Sequence, residues 1–180
     1  MRTLELYTDG ACSRGVGAWA FVAVRWSAGG ELRVVDGRAG VERGATHQRM
    51  ELTAFIGAVR HALDAHEPAL IVTDSAFVGD CLLDGWWKRW VGNGWRNSKG
   101  QPVAYREMWD ELLGLLGPHA EFLATPGGTA EPRQFDSSPI QVRRVRGHGQ
   151  GDDPTHDPYR AGNHLADKMA VAELKSAPPR

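Results

Sequence analysis

Cysteine is scarce in this chain. Cys12 and Cys81 are far apart, and neither stands in a Cys-x-x-Cys pair. That excludes a disulfide framework and a cysteine-based metal knuckle, and it suits a reducing compartment. A dominant charge is missing too. Twenty-one Lys and Arg face 22 Asp and Glu, for a net charge of -1. No global field draws the chain to a polyanion, so any basic surface must be local. Long apolar runs are absent, and none approaches the roughly 18–20 residues of a membrane span. A strand pattern begins almost at the N-terminus and leaves no room for a signal peptide. The expectation is a cytoplasmic, monomeric protein without membrane contact. What is present is 180 residues, 42% apolar, with seven tryptophans. That is enough for one domain with a full core.

The chain opens with strand signals at Leu4–Thr8, Ala18–Trp26 and Glu31–Asp36, the last two joined by an Ala28-Gly29-Gly30 turn. Leu52, Phe55, Ile56, Val59 and Leu63 recur at helical spacing and predict a helix over about 46–65. A short buried strand follows at Leu70–Thr73, then helices at Phe77–Leu83 and about Tyr105–Leu116, the latter stopped by Gly117-Pro118. Ile140, Val142 and Val145 mark a fifth strand. Asp157-Pro158 reads as an N-cap with proline at the first helical position, opening a last helix. This order predicts an α/β fold: a mixed five-stranded sheet, three antiparallel strands then two parallel, flanked by helices. One domain is expected over 1–175, with an inserted loop at about 121–139, a polar loop at Gly149–Tyr159 and a frayed tail at 176–180.

Four acidic stations stand on this frame: Asp9 in Thr-Asp-Gly-Ala, Glu51 in Arg-Met-Glu-Leu, Asp74 in Val-Thr-Asp-Ser, and Asp167 at the end of Asn-His-Leu-Ala-Asp. Asp9 and Asp74 each close a strand. If those strands are neighbours, the two carboxylates lie side by side. Asp167 falls four residues after Asn163, on the same helix face. Converging carboxylates repel unless a cation sits among them. The set therefore reads as a divalent-metal site, whose most economical chemistry is two-metal phosphodiester cleavage. Each station also has an ordinary reading. Thr-Asp-Gly is commonly a turn, Asp74-Ser75 a helix cap, Glu51 a solvated helix residue, and Asp167 a partner for Arg160 or Lys168.

The ordered set resembles type I ribonuclease H. The matching words are Tyr7–Cys12, Arg49–Leu52, Thr73–Ser75, Arg146–Gly149 and Asn163–Asp167. The resemblance implies a ribonuclease H-like fold and hydrolysis of the RNA strand of RNA–DNA hybrids, giving 5′-phosphate and 3′-hydroxyl ends. It implies Asp9, Glu51, Asp74 and Asp167 as ligands of two Mg2+ ions, with Mn2+ able to substitute. One ion would be held by Asp9 and Asp167, the other by Asp9, Glu51 and Asp74. It also implies His148 as the loop histidine that assists protonation of the leaving group or product departure.

Between Trp86 and Arg106 the chain carries Lys88, Arg89, Arg96 and Lys99, interleaved with Trp90 and Trp95, and no acidic residue. This segment resembles the basic protrusion with which family members grip the DNA strand of the hybrid. Aromatic rings beside cations suit sugars and phosphates. The same resemblance points to Thr46, His47, Gln48 and Asn163 as nucleic-acid contacts, with Thr46 suited to a DNA phosphate. Two departures stand out. The loop after the first strand is reduced to Ser13–Gly17, and Ala76 stands where a polar residue is common. The competing classes are another nuclease or strand-transfer enzyme of the superfamily, and a catalytically inactive nucleic-acid-binding protein on the same fold.

Overall fold

The computed structural model describes residues 4–117, 140–145 and 158–177. Strands β1 (Leu4–Ser13), β2 (Val16–Trp26) and β3 (Leu32–Arg43) precede helix α1 (His47–Asp64) and strand β4 (Ala69–Thr73). Helices α2 (Ala76–Leu83), α3 (Trp86–Gly92) and α4 (Arg106–Leu116) lead to strand β5 (Ile140–Arg144) and helix α5 (Pro158–Ser176). The sheet is five-stranded in the order β3-β2-β1-β4-β5. Strands β1–β2 and β2–β3 pair antiparallel, while β1–β4 and β4–β5 pair parallel. This is the mixed sheet that the order of sequence signals implied.

Alternation along the strands divides the core between two faces. Leu4, Leu6, Ala69 and Ile71 join Leu52, Phe55 and Val59 of α1 in the larger cluster. Tyr7, Val22, Val24, Leu70 and Val72 join Ala166 of α5 on the other face. Every residue of β4 is buried, as expected of a strand with parallel neighbours on both sides and helices on both faces.

Two glycines set how closely the layers approach. A Cβ on Gly10 would lie 2.4 Å from the backbone nitrogen of Glu51, so β1 and the start of α1 meet backbone to backbone. A Cβ on Gly162 would lie 2.2 Å from the Tyr7 ring, which seats α5 directly on the sheet. Side chains at these positions would push both acid-bearing helices away from β1.

Two expectations are revised, and one helix is new. Strand β1 runs five residues past Thr8, because its antiparallel ladder with β2 continues to the Ser13–Val16 pair. Strand β3 likewise extends to Arg43. Helix α3 had no sequence forecast, since its seven residues are too few to display a period. The expected loop at 121–139, the polar loop up to Asp157 and His148 lie outside the described residues.

Candidate functional site

The parallel ladder between β1 and β4 ends at the Thr8–Thr73 pair. The next residue on each strand is a carboxylate. Asp9 therefore leaves the parallel ladder while still paired with Ala20 of β2. Asp74 steps off the end of β4. The strand order reverses between β1 and β4, and such a switch point opens a crevice at strand C-terminal ends, the usual ligand position in α/β sheets. Glu51 enters from α1 at the level fixed by Gly10. One carboxylate oxygen from each of Asp9, Glu51 and Asp74 lies within 4.8 Å of the others.

Burial makes this cluster electrostatically costly. Asp9 is 8% exposed and Glu51 3%. The Asp9 carboxyl is pushed up to about 8, first by burial and then by the charges of Glu51, Asp74 and Asp167, with His47 pulling it partly back. Burial also raises Glu51, opposed chiefly by its hydrogen bond with His47. His47 in turn is raised, mainly by that bond. Its Nε2 lies 3.2 Å from Glu51 Oε1, while Glu51 Oε2 is buried with no hydrogen-bond partner among the described residues. An unpartnered buried carboxylate oxygen beside two further carboxylates is a donor set that fits a hard divalent cation.

The helix-cap reading of Asp74-Ser75 holds for Ser75 and leaves Asp74 free of that role. Ser75 caps α2, its hydroxyl accepting from the Val78 N–H at 3.4 Å. The Asp74 carboxylate instead accepts from Asn163, whose Nδ2 lies 3.0 Å from Oδ2. Asn163, expected to touch nucleic acid, is only 4% exposed and offers almost no surface to a duplex. Asp167 sits one turn further along α5, outside the set of three. Its charge acts on Asp9, and its Oδ2 is 4.0 Å from His164 Nδ1.

A cleft of about 370 Å³ opens over the acids, with His47 and Gln48 on one side and Ala76 and Phe77 on the other. Thr46 caps α1 by accepting from the Arg49 N–H at 3.2 Å. Its hydroxyl also contacts the Tyr105 hydroxyl, an arrangement without a sequence signal. Tyr105 reaches it from a left-handed backbone position, φ 60°, just before α4.

A second hollow of about 440 Å³ lies in the protrusion, lined by Trp86, Arg89, Trp90, Asn93 and Arg96 among others. Lys88, Arg89, Arg96 and Lys99 are all exposed. Trp95 is not available in the way its neighbours suggested. It is 7% exposed, packed against Trp90 at a centroid distance of 6.3 Å, with Arg106 over its ring. Trp86, at 38%, is the more open ring.

Fold and site together define an α/β protein with a buried acidic centre at the switch point of a mixed sheet. The family model described as RNase H matches residues 1–123. A ribonuclease H of Syntrophomonas wolfei is 36% identical over 178 residues, covering 98% of this chain and 99% of the relative. A ribonuclease H of Moorella thermoacetica is 37% identical over 137 residues, 73% of this chain and 84% of that one. The solution structure of the PFV RNase H domain superposes with a TM-score of 0.70 at 22% identity, covering 96% of this chain and 94% of that one. This chain belongs to the ribonuclease H family.

Proposed function

We propose that this chain is an endonuclease that hydrolyses the RNA strand of RNA–DNA hybrids, leaving 5′-phosphate and 3′-hydroxyl ends. The observation that carries this reading is the convergence of Asp9, Glu51 and Asp74 within 4.8 Å in a buried cleft of a ribonuclease H-family chain. Residues 1–175 act as one catalytic unit. Asp9, Glu51 and Asp74, with Asp167 beside them, would hold two Mg2+ ions, for which Mn2+ substitutes. Bound there, such ions supply Lewis-acid activation of the scissile phosphate and charge neutralisation as the leaving oxygen departs.

The chain's own residues provide the rest. Glu51 is held through Oε1 by His47 on its own helix, which fixes its carboxylate at the edge of the acidic cluster. His47 and Gln48 border the acids and offer polar groups to the sugar edge of the RNA strand, where 2′-hydroxyls distinguish it from DNA. Thr46 and the cationic protrusion of Lys88, Arg89, Arg96 and Lys99, with Trp90, hold the DNA strand by phosphate and sugar contacts. His148 assists protonation of the leaving group or product departure, as the family resemblance implies. One copy of the chain suffices, acting in the reducing interior of the cell, where unpaired Cys12 and Cys81 stay thiols.

Strand-specifically labelled hybrid, duplex DNA and duplex RNA, each incubated with and without magnesium, test the reading. Magnesium-dependent cleavage of the RNA strand of the hybrid alone is expected. Binding without cleavage would instead support an inactive nucleic-acid-binding protein. Cleavage of duplex DNA would move the chain to another nuclease class of the superfamily.

A further inference from the structure

The geometry points to Asn163 as a positioning residue that fixes Asp74 for cation binding rather than a contact to nucleic acid. The inference rests on the acidic cleft being the cation site proposed above. Asn163 comes from α5 and Asp74 from the end of β4, 89 residues apart in sequence. An ionised carboxylate can only accept hydrogen bonds. The amide nitrogen must therefore face Asp74 Oδ2, as it does at 3.0 Å. That orientation leaves Asn163 Oδ1 buried without a hydrogen-bond partner among the described residues. A buried polar atom left unpaired is costly. The fold carries that cost with the amide nitrogen directed at an acid of the cluster.

Asp74 needs such a hold. It is partly exposed and stands within 4.8 Å of two other carboxylates. Without a donor, its carboxylate would be free to turn outward, away from the acids crowded beside it. With one oxygen tied to Asn163, the rotamer is set before any cation arrives, and Oδ1 is the oxygen that the amide leaves free. At 4% exposure Asn163 acts through Asp74 and not on a substrate. Residues that orient metal ligands in this manner typically cost 10–100-fold in metal affinity or activity when removed.

The test uses the full chain with Asn163→Ala and Asn163→Ser, the serine keeping a shorter donor. Magnesium binding is measured by calorimetry without nucleic acid, and cleavage kinetics follow at saturating magnesium. The inference expects affinity to fall about tenfold in Asn163→Ala, with Asn163→Ser in between. It expects kcat to fall while KM for the hybrid stays put. An unchanged magnesium affinity with a raised KM would overturn it and return Asn163 to the nucleic-acid interface. A parent chain that takes up no magnesium would sink the cation site itself, and this inference with it. Normal uptake by the parent and both variants would sink this inference alone. Should Asn163→Ala fail to fold, Asn163→Ser carries the same comparison.

Discussion

His47 Nε2 lies 3.2 Å from Oε1 of Glu51, one turn along α1, so the buried acid is met by a cation from its own helix. Glu51 is 3% exposed and needs that partner when no metal is present. Because the folded His47 pKa is raised, its stabilisation is fully present below the unfolded value of about 6.5 and fades as pH rises through the folded one. The His47 side chain is mostly exposed, which holds the effect to about 1 kcal/mol. His47→Ala should lower the melting temperature of the metal-free protein near pH 6 and much less at pH 9. Equal losses at both pH values would contradict the pairing.

Asp9 shifts stability with pH in the same direction, over a wider window. Its carboxyl is pushed up to about 8 by burial and by neighbouring acids. Between about pH 4 and that value the folded chain keeps a proton that the unfolded chain has released. Unfolding free energy therefore falls as pH rises through this window, by a few kcal/mol, on the order of 3 to 5 at most. Melting of the metal-free protein should drop between pH 5.5 and pH 8 and recover on adding magnesium. Asp9→Asn should flatten the profile and raise the melting temperature at pH 8. A variant that melts with the parent's pH dependence would rule Asp9 out as the source.

Gly10 is replaceable only at a cost to both fold and site. Its absent Cβ allows β1 to lie against Glu51 N, and a methyl there would also stand 2.8 Å from the Met50 carbonyl carbon. Both are backbone atoms, so α1 itself must shift. Gly10→Ala should lose roughly 1–3 kcal/mol of stability and weaken magnesium binding, because Glu51 moves with α1. Denaturant unfolding and calorimetry check the pair. Lost stability with intact magnesium affinity would show that the acids tolerate the shift.

Asp74→Asn should reduce turnover to background while hybrid binding survives, since the cation contributes mainly in the transition state. Gel-shift binding and single-turnover cleavage separate the two quantities. Near-normal turnover in this variant would remove Asp74 from the proposed ligands.

Neutralising Lys88 and Arg89 should raise KM and flatten the salt dependence of binding, by about 0.9 in logarithmic slope per lost phosphate contact. Arg96 is a less clean probe. Its guanidinium donates to the Gly100 carbonyl at 2.7 Å, and its backbone is clasped by Asn93, so its removal also disturbs the loop. Identical salt slopes for Lys88→Gln/Arg89→Gln and the parent would argue that the protrusion faces solvent.

The sequence alone determined the sheet and the acids. Apolar alternation in Leu4–Thr8 and Ala18–Trp26, the helical spacing of Leu52 to Leu63, and the short apolar run before Asp74 depend only on neighbours along the chain. The ordered acidic words could be read because each occupies a characteristic place on such an element. Tertiary structure decided what lies across elements. The Asn163–Asp74 bond spans 89 residues, and the Thr46–Tyr105 contact spans 59. No local period encodes either. The tryptophans of the protrusion divide for the same reason. Trp87 and Trp95 are drawn into the core beside Trp109, while Trp86 stays open. Composition could announce rings among cations. Only the packing of α3 and the turn after it against the body settled which rings face inward, because burial is a property of both surfaces in contact.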